Sequence, residues 1–171
     1  MDLGINGKRA LVCASSKGLG LGCAQALAAA GVDLVMNARG VEALEASAQA
    51  IRDAHGVEVN TLAADVTTQQ GQNSLLEAAG QVDILVNNAG IGFVMKHTRD
   101  VAPQEWQLVI DVTLSGVFLC TQAAAHHMEA AGRGGRIINI ASQAAKSGFP
   151  HMAPYCAAKH GVIGLTRTAA I

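Results

Sequence analysis

Arg9-Ala10-Leu11-Val12-Cys13-Ala14-Ser15-Ser16-Lys17-Gly18-Leu19-Gly20 runs an apolar, strand-like segment straight into a turn that closes on two glycines. After the turn the period changes. Leu19, Cys23, Ala26, Leu27 and Ala30 form an apolar stripe on a helix that stops near Gly31. Strand, glycine turn and helix in that order open a βαβ unit. The glycines leave room for a pyrophosphate to approach the backbone, and the helix N-terminus adds N–H donors and a positive dipole. A tight strand-to-helix turn with no ligand would use the same glycines, and the spacing alone leaves both readings open.

The alternation continues down the chain. Asp33 to Asn37 reads as a second strand, and the helix after it carries Leu44, Ala48 and Ile51 on one face. Glu58 to Ala63 reads as a third strand, Gln69 to Ala79 as a helix, and Ile84 to Asn88 as a fourth strand. A long helical stretch from Gln104 to Ala131 precedes a fifth strand at Arg136 to Ile140. Beyond a Gly/Pro-containing loop, a helical pattern begins near Ala153 and runs through Leu165 and Ala170 to Ile171 with no stop signal. This order predicts one α/β domain over residues 1–171, a parallel sheet between helical layers. No repeat, low-complexity tract or linker marks a second domain boundary.

Composition narrows the function classes. The 171 residues are 50% hydrophobic and 15% charged, as expected of a globular domain. Aromatic residues make up only 3%, so the elements must pack through small side chains. A net charge of −1 without blocks of like charge offers no footprint for nucleic acid or an anionic membrane, which leaves small molecules as the expected partners. Met1-Asp2-Leu3-Gly4 opens no basic-then-apolar leader, and no apolar run approaches the ~20 residues of a membrane helix. A soluble, cytoplasmic protein is expected. Cys13, Cys23, Cys120 and Cys156 are scattered through apolar surroundings and read as reduced thiols. With no CxxC pair, and with His126 and His127 adjacent on a helix, no metal site is expected.

At the glycine turn the chain resembles the short-chain dehydrogenase/reductase family, which carries Thr-Gly-x-x-x-Gly-x-Gly where this sequence has Cys13-Ala14-Ser15-Ser16-Lys17-Gly18-Leu19-Gly20. The resemblance implies a Rossmann-type, doubly wound, three-layer α/β/α fold and a nicotinamide nucleotide held by Ala14, Ser15, Ser16, Lys17, Gly18, Leu19 and Gly20. Ala14 replaces a glycine, which is tolerable if φ there is negative. At the end of the second strand, Asn37-Ala38-Arg39 lacks the acidic residue that suits NAD, while Arg39 and Lys17 supply two cations for a 2′-phosphate, so NADP(H) is expected over NAD(H). As solvated surface charges the same two residues would be unremarkable. Asp65 and Val66 match the positions that meet the adenine ring. Asn87-Asn88-Ala89-Gly90 matches the family motif after the fourth strand, giving Asn88, Ala89 and Gly90 as further cofactor residues, although such asparagines also tie loops to strand ends.

Tyr155 is the only tyrosine, and Lys159 follows one helical turn later on the same face, so a cation stands beside a phenol and favours its ionised form. That pair alone is a weak signal. Ser142, directly after the fifth strand in Asn139-Ile140-Ala141-Ser142, completes the pattern. By resemblance Ser142, Tyr155 and Lys159 are the catalytic residues: Ser142 bonds the substrate oxygen, Tyr155 exchanges its proton, and Lys159 assists Tyr155 and holds the nicotinamide ribose. No metal is required. The family's asparagine on the long helix, which serves a water relay to the lysine, falls at Thr113 here, a departure.

Family members commonly run to roughly 250 residues, within the range of one α/β domain. The resemblance therefore implies that two last strands of the family fold are missing and that the domain is incomplete at its C-terminus. The expected activity is hydride transfer between nicotinamide and a carbonyl or secondary alcohol, with a 3-oxoacyl thioester reductase preferred and a sugar or polyol dehydrogenase the enzymatic alternative. A non-catalytic NADP-binding or subunit-interaction protein is the alternative of another class. The full-length family pattern implies a homodimer or homotetramer.

Overall fold

The apolar run before the glycine turn becomes β1 (Arg9–Val12), and Ala10, Leu11 and Val12 are all buried. Burial of consecutive residues means the strand is covered on both faces, as in the middle of a parallel sheet. The computed structural model describes residues 3–92 and 95–170. Met1, Asp2, Phe93, Val94 and Ile171 lie outside them, as does the expected end of the final helix at Ile171.

In chain order there follow α1 (Gly18–Ala29), β2 (Asp33–Ala38), α2 (Val41–His55), β3 (Val59–Ala63), α3 (Gln69–Ala79), β4 (Ile84–Asn87), α4 (Pro103–Ile110), α5 (Gly116–Ala131), β5 (Arg136–Asn139) and α6 (Ala153–Ala169). The five strands are parallel in the order β3-β2-β1-β4-β5. Sequence neighbours run outward from β1 to one edge, and the chain then returns to β4 on the other side. That reversal opens a crevice at the C-terminal ends of β1 and β4, where doubly wound sheets bind ligands. Val12 pairs with Met36 on one side and Val86 on the other, so the glycine turn, the end of β2 and the Asn87-Asn88 segment emerge side by side.

Two apolar clusters lie on the sheet's two faces. One gathers Val12, Leu34, Met36, Leu44 and Ile51, and the other Leu11, Val35, Leu75, Leu85 and Met128. The expected face of α2 is the buried one. In α1 the expected stripe is out of phase. Leu19 is 74% exposed and Ala26 is exposed, while Gly20, Ala24 and Ala28 are buried. The smallest residues face inward because a Cβ at Gly20 would stand 2.4 Å from the Ala14 carbonyl oxygen, so this helix is drawn too close to the turn for a large side chain.

The stretch Pro103–Ala131 is continuously helical over 29 residues, with a mean hydropathy of 1.6 in its most apolar window. By length and composition it is apolar enough to cross a membrane, which corrects the expectation that no run approached that length. Here it packs against α3, β4 and α6 as one helix of a layer. Its middle, Asp111–Ser115, is a π-helical turn that joins α4 to α5. Such turns recur at functional sites. The four cysteines are free thiols, as expected. Cys13 and Cys120 lie in the same core cluster. The Cys120 thiol and burial push the Cys13 thiol up, and Cys13 draws Cys120 down.

Candidate active site

The glycine turn is held by its neighbours. Ser15 is fully buried: its N–H donates to the Asn37 carbonyl (2.8 Å), its hydroxyl lies 3.3 Å from the same oxygen, and the Asn37 N–H donates back to that hydroxyl (3.1 Å). Asn37 in turn donates its amide to the Leu62 and Ala64 carbonyls. From the other side the Asn88 amide donates to the carbonyls of Cys13 (3.3 Å) and Ala14 (3.1 Å). Ala14 has φ 51°, so the condition of a negative φ, under which alanine would be tolerable here, is not met. The turn demands the left-handed region whatever residue occupies it, and an alanine there costs roughly 1–2 kcal/mol more than in its preferred conformation.

Beside the turn lies a cleft of about 650 Å³. Its walls include Ala14, Ser16, Lys17, Arg39, Asp65, Val66, Ala89 and Gly90. Ser15, Gly18, Leu19, Gly20 and Asn88 are not among its walls. Gly20 and Asn88 set the shape of the turn behind it, and the Ser15 hydroxyl is spent on Asn37. The Asp65 carboxyl is held below its usual range, first by the Thr67 N–H (2.9 Å), then by the Thr67 hydroxyl (2.8 Å), and also by the charge of Arg39. Arg39 therefore faces the cleft with a carboxylate nearby. Ile91, Leu108 and Val112 complete the far wall, and none of them carried a recognisable signal in the sequence. Asn37 did carry one: a polar residue at the buried end of an apolar strand.

Lys159 is only 3% exposed. Its ammonium donates to the Ile140 carbonyl (2.5 Å) and sits 5.8 Å from the centre of the Tyr155 ring, so the helix register anticipated between these residues is realised. Burial draws the lysine below its ordinary range. Gly90 packs against this ammonium, and Gly92 lies so close to Tyr155 that a Cβ would meet the ring at 3.3 Å. Ser142 leads the short 3-10 turn Gln143–Ala145 that packs on α6. Its hydroxyl accepts from the Ala144 N–H (3.1 Å), which leaves its own proton to donate. Thr113, in the π-helical turn, is fully buried. Its hydroxyl accepts the Ile91 N–H (3.1 Å) and lies 3.4 Å from the Ile91 carbonyl oxygen, so it fixes the loop beside Tyr155, while the lysine is anchored separately on Ile140.

Comparison with known proteins gives this geometry its context. Residues 8–171 match the family model described as short chain dehydrogenase. The chain is 42% identical to a 3-oxoacyl-[acyl-carrier-protein] reductase of Synechocystis over 94% of its own length. It superposes on a xylitol dehydrogenase with NAD+ bound, with a TM-score of 0.91, 32% identity and 97% of this chain covered. It also superposes on an alcohol dehydrogenase of Thermococcus sibiricus complexed with 5-hydroxy-NADP, with a TM-score of 0.86, 30% identity and 94% covered. The chain spans 66%, 65% and 69% of the lengths of these three proteins respectively. With the parallel β3-β2-β1-β4-β5 sheet, the glycine turn and the Tyr155–Lys159 pair in place, this chain belongs to the short-chain dehydrogenase family.

Proposed function

We propose that this protein is an NADP(H)-dependent oxidoreductase that moves a hydride between nicotinamide and a carbonyl or secondary alcohol. The observation that carries the reading is the buried Lys159 ammonium, anchored on Ile140 and 5.8 Å from the Tyr155 ring. An isolated buried cation is costly, and this one is held over the ring whose hydroxyl would exchange a proton.

The residues present fit a dinucleotide. Gly20 lets α1 approach the turn, where a Cβ would run into the Ala14 carbonyl and the Asn88 amide. Lys17 and Arg39 are exposed on the cleft wall, with the basic chemistry that suits a 2′-phosphate. When bound, the nicotinamide supplies or accepts the hydride. Ser142 donates its hydroxyl proton to the substrate oxygen. Tyr155 gives that oxygen a proton during reduction and removes one during oxidation. Lys159 holds the ribose hydroxyls and, by its charge, stabilises the tyrosine oxygen once it has lost its proton.

The similarity to a 3-oxoacyl-[acyl-carrier-protein] reductase supports a 3-oxoacyl thioester as substrate, and the similarity to xylitol dehydrogenase supports the polyol alternative. A cytoplasmic homodimer or homotetramer is the working form consistent with this reading. The test is a fluorescence titration with NADPH and NADH. Tighter NADPH binding supports the assignment to Lys17 and Arg39, equal binding removes it, and binding of neither removes the oxidoreductase reading of this chain.

A further inference from the structure

Tyr155, Lys159, Val162 and Thr166 follow one another on α6 at spacings of four, three and four, so they lie on a single stripe of the helix. The segment leaving β5 grips that stripe at two places. The Ile140 carbonyl accepts from the Lys159 ammonium (2.5 Å), and the Asn139 amide donates to the Thr166 hydroxyl (2.9 Å). Thr166 stands three turns from Tyr155, about 16 Å along the helix axis. It is exposed and is not among the walls of the nucleotide cleft.

The Asn139–Thr166 bond ends a directed polar chain. The Cys13 thiol lies 4.0 Å from the side-chain oxygen of the buried Asn87. Asn87, paired in register with Asn139 across β4 and β5, donates its amide to the Asn139 side-chain oxygen (2.9 Å) and to the Thr121 hydroxyl (3.0 Å). Asn139 is thereby oriented with its oxygen toward Asn87 and its nitrogen toward Thr166. Thr166 gives its own proton to the Val162 carbonyl (2.7 Å), which leaves a lone pair for Asn139. A network satisfied at every link specifies one arrangement. This one starts at the residue before Ala14 in the glycine turn and ends on the helix that carries Tyr155 and Lys159.

The apolar packing of α6 leaves its rotation weakly determined. Ala158 and Val162 are its buried apolar residues in mid-helix, and Gly161 comes so close to Leu114 of the π-helical turn that a Cβ would meet that side chain at 2.7 Å. Small side chains allow close approach but raise few ridges that could lock one helix against rolling on another. Directional bonds have to supply that restraint.

We propose that Asn139 and Thr166 are positioning residues, whose bond sets the roll of α6 and so the placement of the Tyr155 ring and the Lys159 ammonium. This rests on the reading of Tyr155 and Lys159 as the proton-transfer pair. Tyr155 is the only tyrosine, so in protein with labelled tyrosine its ring resonances are assigned without substitution.

Thr166→Val keeps the side-chain shape and removes the hydroxyl. It should move the Tyr155 ring signals, and Thr166→Ser should return them to the parent positions. Turnover is followed with NADPH and the N-acetylcysteamine thioester of acetoacetate, and with NADP+ and xylitol. With whichever pair the parent turns over, Thr166→Val should lower kcat about fivefold or more, with KM and NADPH affinity held within about twofold. Asn139→Leu should lose at least as much, and the double variant no more than Asn139→Leu alone. Unmoved Tyr155 signals or unchanged kcat in Thr166→Val, failure of Thr166→Ser to restore the signals, or additive losses in the double variant overturns the proposal. A parent that binds no nucleotide and turns over neither substrate removes the oxidoreductase reading instead, and the ring signals of the same variants then show whether the bond sets α6.

Discussion

At the glycine turn the polar groups are consumed by the fold, whereas at the start of α6 several are left for a ligand. Ser15, Asn37 and Asn88 bond to the chain itself, and what faces the cleft there is mostly backbone and small side chains. At the other end Tyr155 is half-buried, and among the described residues the Ser142 hydroxyl keeps its proton free and the buried Lys159 ammonium has the Ile140 carbonyl as its one acceptor. The nucleotide end is therefore sensitive to volume, because its shape is its function. The chemical end is sensitive to the loss of a single proton or charge, because its shape is maintained by α6 and the π-helical turn independently of those groups.

The largest expected effect tests the chemical end. Tyr155→Phe removes one oxygen and no packing, so turnover of a reducible carbonyl should fall about 10²–10⁴-fold. NADPH affinity, read by fluorescence, should stay close to the parent value, and a parallel loss of binding would abolish the contrast between the two ends. Gly20→Ala tests the other end. The new methyl would stand 2.4 Å from the Ala14 carbonyl oxygen and 2.5 Å from the Asn88 amide nitrogen. Overpacking of this kind should cost about 1–3 kcal/mol in urea unfolding and remove NADPH binding. An unchanged midpoint would mean the turn yields.

Replacing Lys17 and Arg39 together by alanine should weaken NADPH by about tenfold or more and leave NADH unaffected, given the strength of charge-assisted bonds to phosphate. Equal losses for both nucleotides would show that the pair shapes the turn and does not read the 2′-phosphate. Ala14→Gly should stabilise the protein by about 1 kcal/mol, since glycine accepts φ 51° without penalty. If the unfolding midpoint falls instead, the freedom glycine adds to the unfolded chain outweighs the strain it relieves.

The smallest effect is a slope with pH. The folded state holds the Lys159 value below its ordinary range through burial. In the window between the lowered and ordinary values the unfolded chain binds more protons than the folded one, so stability should rise with pH there and diminish as pH falls back through the folded value. Urea midpoints from pH 8 to 10.5 should show this slope in the parent and lose it in Lys159→Met.

Local reading went far in this chain where periodicity and motif coincide. The order of strands and helices, the buried face of α2, and the one-turn spacing of Tyr155 and Lys159 are properties of contiguous residues, and contiguous residues determine backbone period and which side chains share a face. Tertiary structure alone decided the phase of α1, the left-handed φ at Ala14, the attachment of the Thr113 hydroxyl to Ile91, and the joining of Asn139 to Thr166. Each depends on how closely an element approaches another that is distant in sequence. That approach is set by packing across the sheet, and no local pattern encodes it.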